Sequence, residues 1–225
     1  YLLSPLIILA FVLCNTLFAW DYAMMLIPHW HSTVFPIFYW WGNFFAACAA
    51  LIVFPALLGR SGQGARYFGP EQVRFLGMML TAFTLIWLYF FWAQFFVMWF
   101  GNLPHETEPL WRQMYGHYAP YYWTMMAGCF FIPLGTLLFA AVKRSLLAMC
   151  MLAIGINLGI WISKYLMVVP VFSPDNRPFE NLLDISIAVG FLAGFLALLM
   201  LLCRHFPIFA EWEIQLKGIR RFPTA

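Results

Sequence analysis

Six long apolar runs dominate the chain, at 1–20, 34–58, 73–100, 119–142, 145–169 and 184–203. A helix needs about 20 apolar residues to cross the hydrocarbon core of a bilayer, so each run predicts one span. No stretch alternates polar and apolar residues as a strand would, and open sheet edges cannot sit in lipid. The pattern therefore predicts an all-α fold, a polytopic transmembrane helix bundle of about six spans. Residues 1–203 form the bundle and 204–225 a cytoplasmic C-terminal tail. The third run is long enough to tilt or to extend past the headgroups. Only Lys143-Arg144 separates the fourth run from the fifth, which predicts a tight hairpin there.

Composition agrees with the pattern. Of 225 residues, 64% are hydrophobic and 9% charged, whereas soluble domains carry about 25% charged residues. The net charge of +3 is too small to point to a nucleic-acid partner. The first run has neither a charged leading segment nor a small-residue cleavage site, so it does not read as a signal peptide. It is apolar from Tyr1 onward, and the chain is expected to be part of a longer one with earlier helices.

Lysine and arginine set the expected orientation. One set of connections, with the tail, holds Arg60, Arg66, Arg74, Lys143, Arg144, Arg204, Lys217, Arg220 and Arg221; the other holds only Arg112 and Arg177. The positive-inside rule places the richer set in the cytoplasm. Asp21, Glu106, Glu108, Asp175, Glu180 and Asp184 then lie at or near the outer face, with His29, His31, His105 and His117. Topology alone explains why the outer loops lack bases. It does not explain four histidines.

Two outer connections hold the candidate chemistry. The first runs Asp21-Tyr-Ala-Met-Met-Leu-Ile-Pro-His-Trp-His-Ser-Thr33. Pro28 is expected to stop a helix, and Ser32 or Thr33 to cap the next. Trp20, Trp30, Trp40 and Trp41 suit the aromatic belt at the membrane interface. His29-x-His31 is a weak metal signal, and no metal is assigned. The second is Trp99-Phe-Gly-Asn-Leu-Pro-His-Glu-Thr-Glu-Pro-Leu-Trp-Arg112. It gathers Asn102, His105, Glu106, Glu108 and Arg112 between two apolar runs. It reads either as a solvated surface loop or as a place where a partner docks. A membrane metalloenzyme built on His29, His31, His105, Glu106 and His117 is an alternative reading, and a pure assembly subunit is another.

These stretches carry a resemblance. Asp21, Met24, Leu26, Pro28, His29, Trp30, Ser32 and Thr33 match a helix–helix junction of the NrfD/polysulfide-reductase-like membrane subunits of alternative complex III. They are most similar to the second of that complex's two such subunits, the ActF type; Met25 replaces a usual Ser. Gln94, Trp99, Gly101, Asn102, Leu103, Pro104, Glu106 and Thr107 match a second family segment, with Phe100 in place of Tyr and His105 in place of Glu. A third segment, Gly159 to Pro170, resembles the family but has Ser163 where an acidic residue is usual. Asp184 matches a family acidic residue. The resemblance covers about residues 20–200, and such subunits have more spans than six.

The resemblance implies a subunit of a quinol-oxidising complex in the bacterial cytoplasmic membrane, in respiratory or photosynthetic electron transport. Expected partners are a second NrfD-like subunit, a periplasmic iron–sulfur protein, c-type cytochromes and a terminal oxidase. Quinol, haem c and iron–sulfur clusters are expected in the complex and no cofactor in this chain, which is not expected to be catalytic alone. Its own residues agree: Cys14, Cys48, Cys129, Cys150 and Cys203 are scattered singly, with no Cys-x-x-Cys-His and no cysteine cluster. The implied roles are scaffolding and proton conduction.

Polar residues at membrane depth are the candidates for a proton path: Asp21, Gln94, Lys164 and Asp184. Lys164 lies five residues before the outer end of its run, about 7 Å deep. It either snorkels outward, pairs with Asp21, Glu180 or Asp184, or relays protons among carboxylates. Thr81 and Thr84 are expected to bond their own helix backbone.

Overall fold

The computed structural model describes residues 3–27, 30–58, 70–172 and 182–205. Among them are helices and short connections, with no strand. The helices are α1 (Leu3–Tyr22), α2 (Phe35–Leu58), α3 (Pro70–Gly101), α4 (Pro104–Met114), α5 (Ala119–Met126), α6 (Ile132–Leu137), α7 (Ala140–Arg144), α8 (Leu146–Phe172) and α9 (Leu182–His205). Five helices are long and apolar enough to cross a membrane: α1, α2, α3, α8 and α9. The chain is an all-α bundle with the spans of a multi-pass membrane protein. At 32 residues α3 is about 48 Å long, beyond the ~30 Å of hydrocarbon.

The fourth apolar run is not one regular helix. Residues Ala127–Phe131 form a π turn between α5 and α6. Pro133 accounts for it, since proline lacks the N–H that the carbonyl four residues earlier would accept, and the backbone widens to keep its other bonds. After α6 the chain breaks at Leu138 and Phe139, and Lys143 and Arg144 close the short helix α7. The tight hairpin expected at Lys143-Arg144 is thus a helical turn flanked by two extended residues, Phe139 and Ser145.

The chain divides into two compact units, Tyr1–Asn176 and Arg177–Ala225. Of the second, α9 is described; its apolar residues are exposed along most of its length. Of the expected tail, everything after His205 lies outside the described residues.

In the first unit α2 is central, packing against α1, α3 and α8. Phe45, Ile52, Leu80, Trp87, Met149, Ile156 and Leu166 are fully buried there. A second, smaller cluster joins Ala19, Ala23, Trp30, Phe35, Met98 and Leu110 near the C-terminal ends of α1 and α3. Helical hydroxyls turn back on their own backbone, as expected of Thr81 and Thr84: they donate to Gly77 and Leu80 carbonyls at 2.8 Å. A side-chain amide pair also joins two helices. Asn43 Nδ2 on α2 donates to Asn15 Oδ1 on α1 at 2.7 Å, tying down a helix whose apolar residues are otherwise mostly exposed.

Candidate functional site

The 99–112 stretch is largely helical rather than a loop. Asn102 ends α3 in the left-handed region, φ +45°, and its N–H donates to the Met98 carbonyl at 3.1 Å. Asparagine tolerates that conformation, which makes it a stop signal. Pro104 then opens α4, where a missing N–H costs nothing. Thr107 and Leu110 are buried one turn apart on the face of α4 turned to the bundle, while Glu108 and Arg112 are exposed. Those two form an exposed i, i+4 ion pair at 2.5 Å, of a kind contributing about 0.3–0.5 kcal/mol. Glu106 is half-buried in the first turn, where a carboxylate suits the helix dipole. His105 belongs to α4, but its side chain lies outside what the structure describes.

The two connections singled out above meet at this end of the bundle. Ser32 caps α2, accepting from the Phe35 N–H at 3.3 Å. Its hydroxyl donates to Gln94 Oε1 on α3 at 2.5 Å, across 62 residues of sequence. The Gln94 amide in turn approaches Met98 Sδ at 3.3 Å. Ser32, Gln94 and Met98 therefore form one polar thread between two helices.

Beside the thread lies a pocket with about 590 Å³ of empty space, part of it open to the outside. Its wall comes from five elements: Ala23 after α1, Phe35 and Phe38 of α2, Gln94 and Met98 of α3, Gln113 of α4, and Met167 of α8. Trp30 completes the wall and corrects an expectation. It does not belong to the interface belt, being only 8% exposed. Its ring meets Phe35 edge-on at 4.9 Å and packs with Ala19, Ala23 and Leu110. Its indole Nε1 has no hydrogen-bond partner among the described residues.

Lys164 lies one turn of α8 deeper than Met167. It neither snorkels outward nor pairs with Asp21. Its Nζ donates to the backbone carbonyl of Tyr39 on α2 at 2.6 Å and stands 3.3 Å from the centroid of the Tyr39 ring. A helical carbonyl has a second lone pair beyond the one used by its own helix, so this bond breaks nothing. Gly42, one turn further along α2, is a neighbour of the head: a Cβ there would stand 3.6 Å from Nζ, an ordinary van der Waals contact. The lysine head is thus held by a carbonyl and an aromatic face. The sequence offered no sign of Tyr39, because its carbonyl is common to every residue type.

The other candidates are placed as follows. Asp21, in the last turn of α1, is exposed and has no ion pair among the described residues. His31 and His117 are exposed. His29 and the side chain of Asp184 lie outside the described residues, as do Asp175 and Glu180. Among the described residues no three His, Cys, Asp or Glu side chains come together as a metal-ligand set. Cys48 and Cys129 are buried free thiols, packed in the main core as small apolar groups.

Comparison with family models finds no match, and no curated protein matches the chain.

Proposed function

We propose that this chain is a membrane subunit of a quinol-oxidising complex of the alternative complex III type, of the NrfD-like kind, without a cofactor of its own. It sits in the bacterial cytoplasmic membrane with Asn102–Arg112 on the outer side and Lys143-Arg144 inside. Its outer connections seat the iron–sulfur and c-type cytochrome subunits beside a second NrfD-like subunit. Lys164 belongs to an outer proton route with Asp21, Gln94 and Asp184.

One observation supports this reading above others. The two stretches that resemble the family, far apart in sequence, touch through Ser32 and Gln94. The Lys/Arg asymmetry supports the orientation, and α4 supplies an acidic, amphipathic outer face that another protein could cover.

Purification of the full-length protein from its native membrane is the test. The expected result is a complex with c-type haem in the haemochrome spectrum and an iron–sulfur protein among its subunits. A chain that purifies alone, or with partners that carry neither group, overturns the proposal. Charge reversal at Glu106 together with Glu108 is expected to lower retention of the cytochrome subunit, and unchanged stoichiometry would count against docking at this face.

A further inference from the structure

We infer that Arg74, Lys143 and Arg144, gathered where α7 packs on the first turns of α3, bind the phosphate of an anionic phospholipid. The inference does not depend on the complex proposed above.

The bases come from two segments far apart in sequence. The stem of Lys143 lies against α3 at Gly77: a Cβ there would stand 3.2 Å from Lys143 Cγ and 3.3 Å from Met149 Cε. A side chain at position 77 would have to displace that stem. Arg74 precedes Gly77 by three residues, and residues so spaced share a helix face. The helix therefore carries Arg74 to the side of α3 that Lys143 meets. Arg144 follows at the end of α7, and both arginines are exposed. Ser145 then caps α8, its hydroxyl accepting from the Ala148 N–H at 3.4 Å. Lys143 and Arg144 thus stand before the N-terminal, positive end of a 27-residue helix dipole.

Like charges held this close repel unless an anion lies among them. None of the three has an ion pair among the described residues. Glu71 is the one described carboxylate near the start of α3; it is exposed and forms no ion pair with Arg74. Residues 59–69, which precede α3, contain no Asp or Glu. Arg112, near the other end of the bundle, is instead joined to Glu108. The positive-inside rule accounts for bases on one side of the membrane, but not for their convergence from two helices without an acid.

The surrounding surface selects the kind of anion. Phe75 and Met78 on α3, and Leu146 and Leu147 on α8, are exposed beside the bases. In a bilayer such residues meet acyl chains. A phosphate diester that carries its own acyl chains meets both requirements. Its oxygens suit the guanidinium forks and the lysine ammonium, and its chains cover the apolar residues. A free phosphate would use the bases alone. Basic clusters between membrane helices bind anionic headgroups in this way.

The test titrates the purified full-length protein in detergent with dioleoyl phosphatidylglycerol, and separately with dioleoyl phosphatidylcholine, counting bound lipids by native mass spectrometry. The chains are identical, so only headgroup charge differs. Saturable binding of one phosphatidylglycerol per chain, at concentrations that leave phosphatidylcholine unbound, is expected. Arg74→Gln and Arg144→Gln, both at exposed positions, should each weaken it about five-fold, and the double variant about twenty-fold or more. Arg112→Gln removes the same charge near the other end and should leave binding unchanged. Equal binding of the two lipids overturns the inference, as does unchanged binding in either inner variant, because the site needs both segments. An equal loss in Arg112→Gln also overturns it, since overall charge rather than a site would then hold the lipid.

Discussion

Lys164 and Tyr39 are bound twice over: the lysine head donates to the tyrosine carbonyl at 2.6 Å and lies over the same residue's ring, 3.3 Å from its centroid. A charged side chain on a membrane helix costs about 2.5–3.5 kcal/mol at the centre, less toward the interface. A cation–π contact returns about 0.5–2 kcal/mol, and a hydrogen bond to a charged group about 1.5–3 kcal/mol. These sums are of the same size, so the structure tolerates Lys164 without an acidic partner.

Replacing Lys164 with Met is therefore expected to leave the fold intact. No described carboxylate loses a partner, and the Tyr39 carbonyl keeps its own helix bond. Thermal unfolding in detergent should shift by no more than the equivalent of about 1 kcal/mol, within the range of substitutions that remove a self-compensating contact. Under the proposed function, the same variant should oxidise quinol at a normal rate while moving fewer protons per electron in proteoliposomes. An unchanged proton-to-electron ratio would remove Lys164 from any route, and a collapse of stability would make it a structural residue.

The Ser32–Gln94 contact predicts a coupling. Ser32→Ala leaves Gln94 Oε1 without its donor, and Gln94→Leu leaves the Ser32 hydroxyl without its acceptor. Each single change is expected to cost about 1 kcal/mol or somewhat more. The double variant should cost less than the sum by about 1 kcal/mol, since neither group is then left wanting a partner. Additive effects in unfolding experiments would show that the bond contributes nothing to holding α2 against α3.

Much of this architecture was legible in the sequence, for a simple reason. Lipid imposes helices, and uninterrupted apolar length marks where they run; α1, α2, α3, α8 and α9 follow the apolar runs closely. The fourth run was harder. Pro133 was visible, but whether a proline kinks, breaks or widens a helix depends on its neighbours, here α8 packed against the π turn. The site was legible in parts and not as a whole. Ser32 and Gln94 each stood out, yet nothing in sequence spacing says that two helix ends touch. Trp30 was misread because its position near a helix end suits an interface tryptophan, and only packing against Phe35 and Ala23 shows it facing inward. Asn15 and Asn43 lie inside apolar runs, and a cross-helix amide pair has no local signature in sequence.

The orientation is open to direct labelling. With the native cysteines replaced, a cysteine at position 106 or 144 meets water on opposite sides of the membrane if the Lys/Arg asymmetry is obeyed. Glu106 lies on α4 and Arg144 closes α7, both with accessible surface. An impermeant thiol reagent on intact cells is expected to label Glu106→Cys and to spare Arg144→Cys until the membrane is opened. The reverse pattern would turn the bundle over, and with it the side on which any partner docks.

The crossing of α8 with the π turn gives the sharpest packing prediction. A Cβ placed on Gly159 would stand 2.7 Å from Cys129 Sγ, 3.3 Å from the Cys129 nitrogen and 3.3 Å from the Gly128 carbonyl carbon. Cys129 is fully buried and cannot swing away, and the other two atoms are backbone. Small residues allow this approach, as they do where membrane helices cross closely. Gly159→Ala must therefore push the helices apart or distort the π turn, a misfit that typically costs about 1–3 kcal/mol. Gly159→Leu should prevent folding. Gly155, one turn earlier on the same helix, has open space where its Cβ would go. Gly155→Ala is expected to be neutral or stabilising by up to about 1 kcal/mol, from helix propensity alone. Thermal unfolding of the two alanine variants side by side separates the effect of contact from that of backbone freedom. Equal melting temperatures would mean that α8 and the π turn do not meet as closely as Gly159 and Cys129 require.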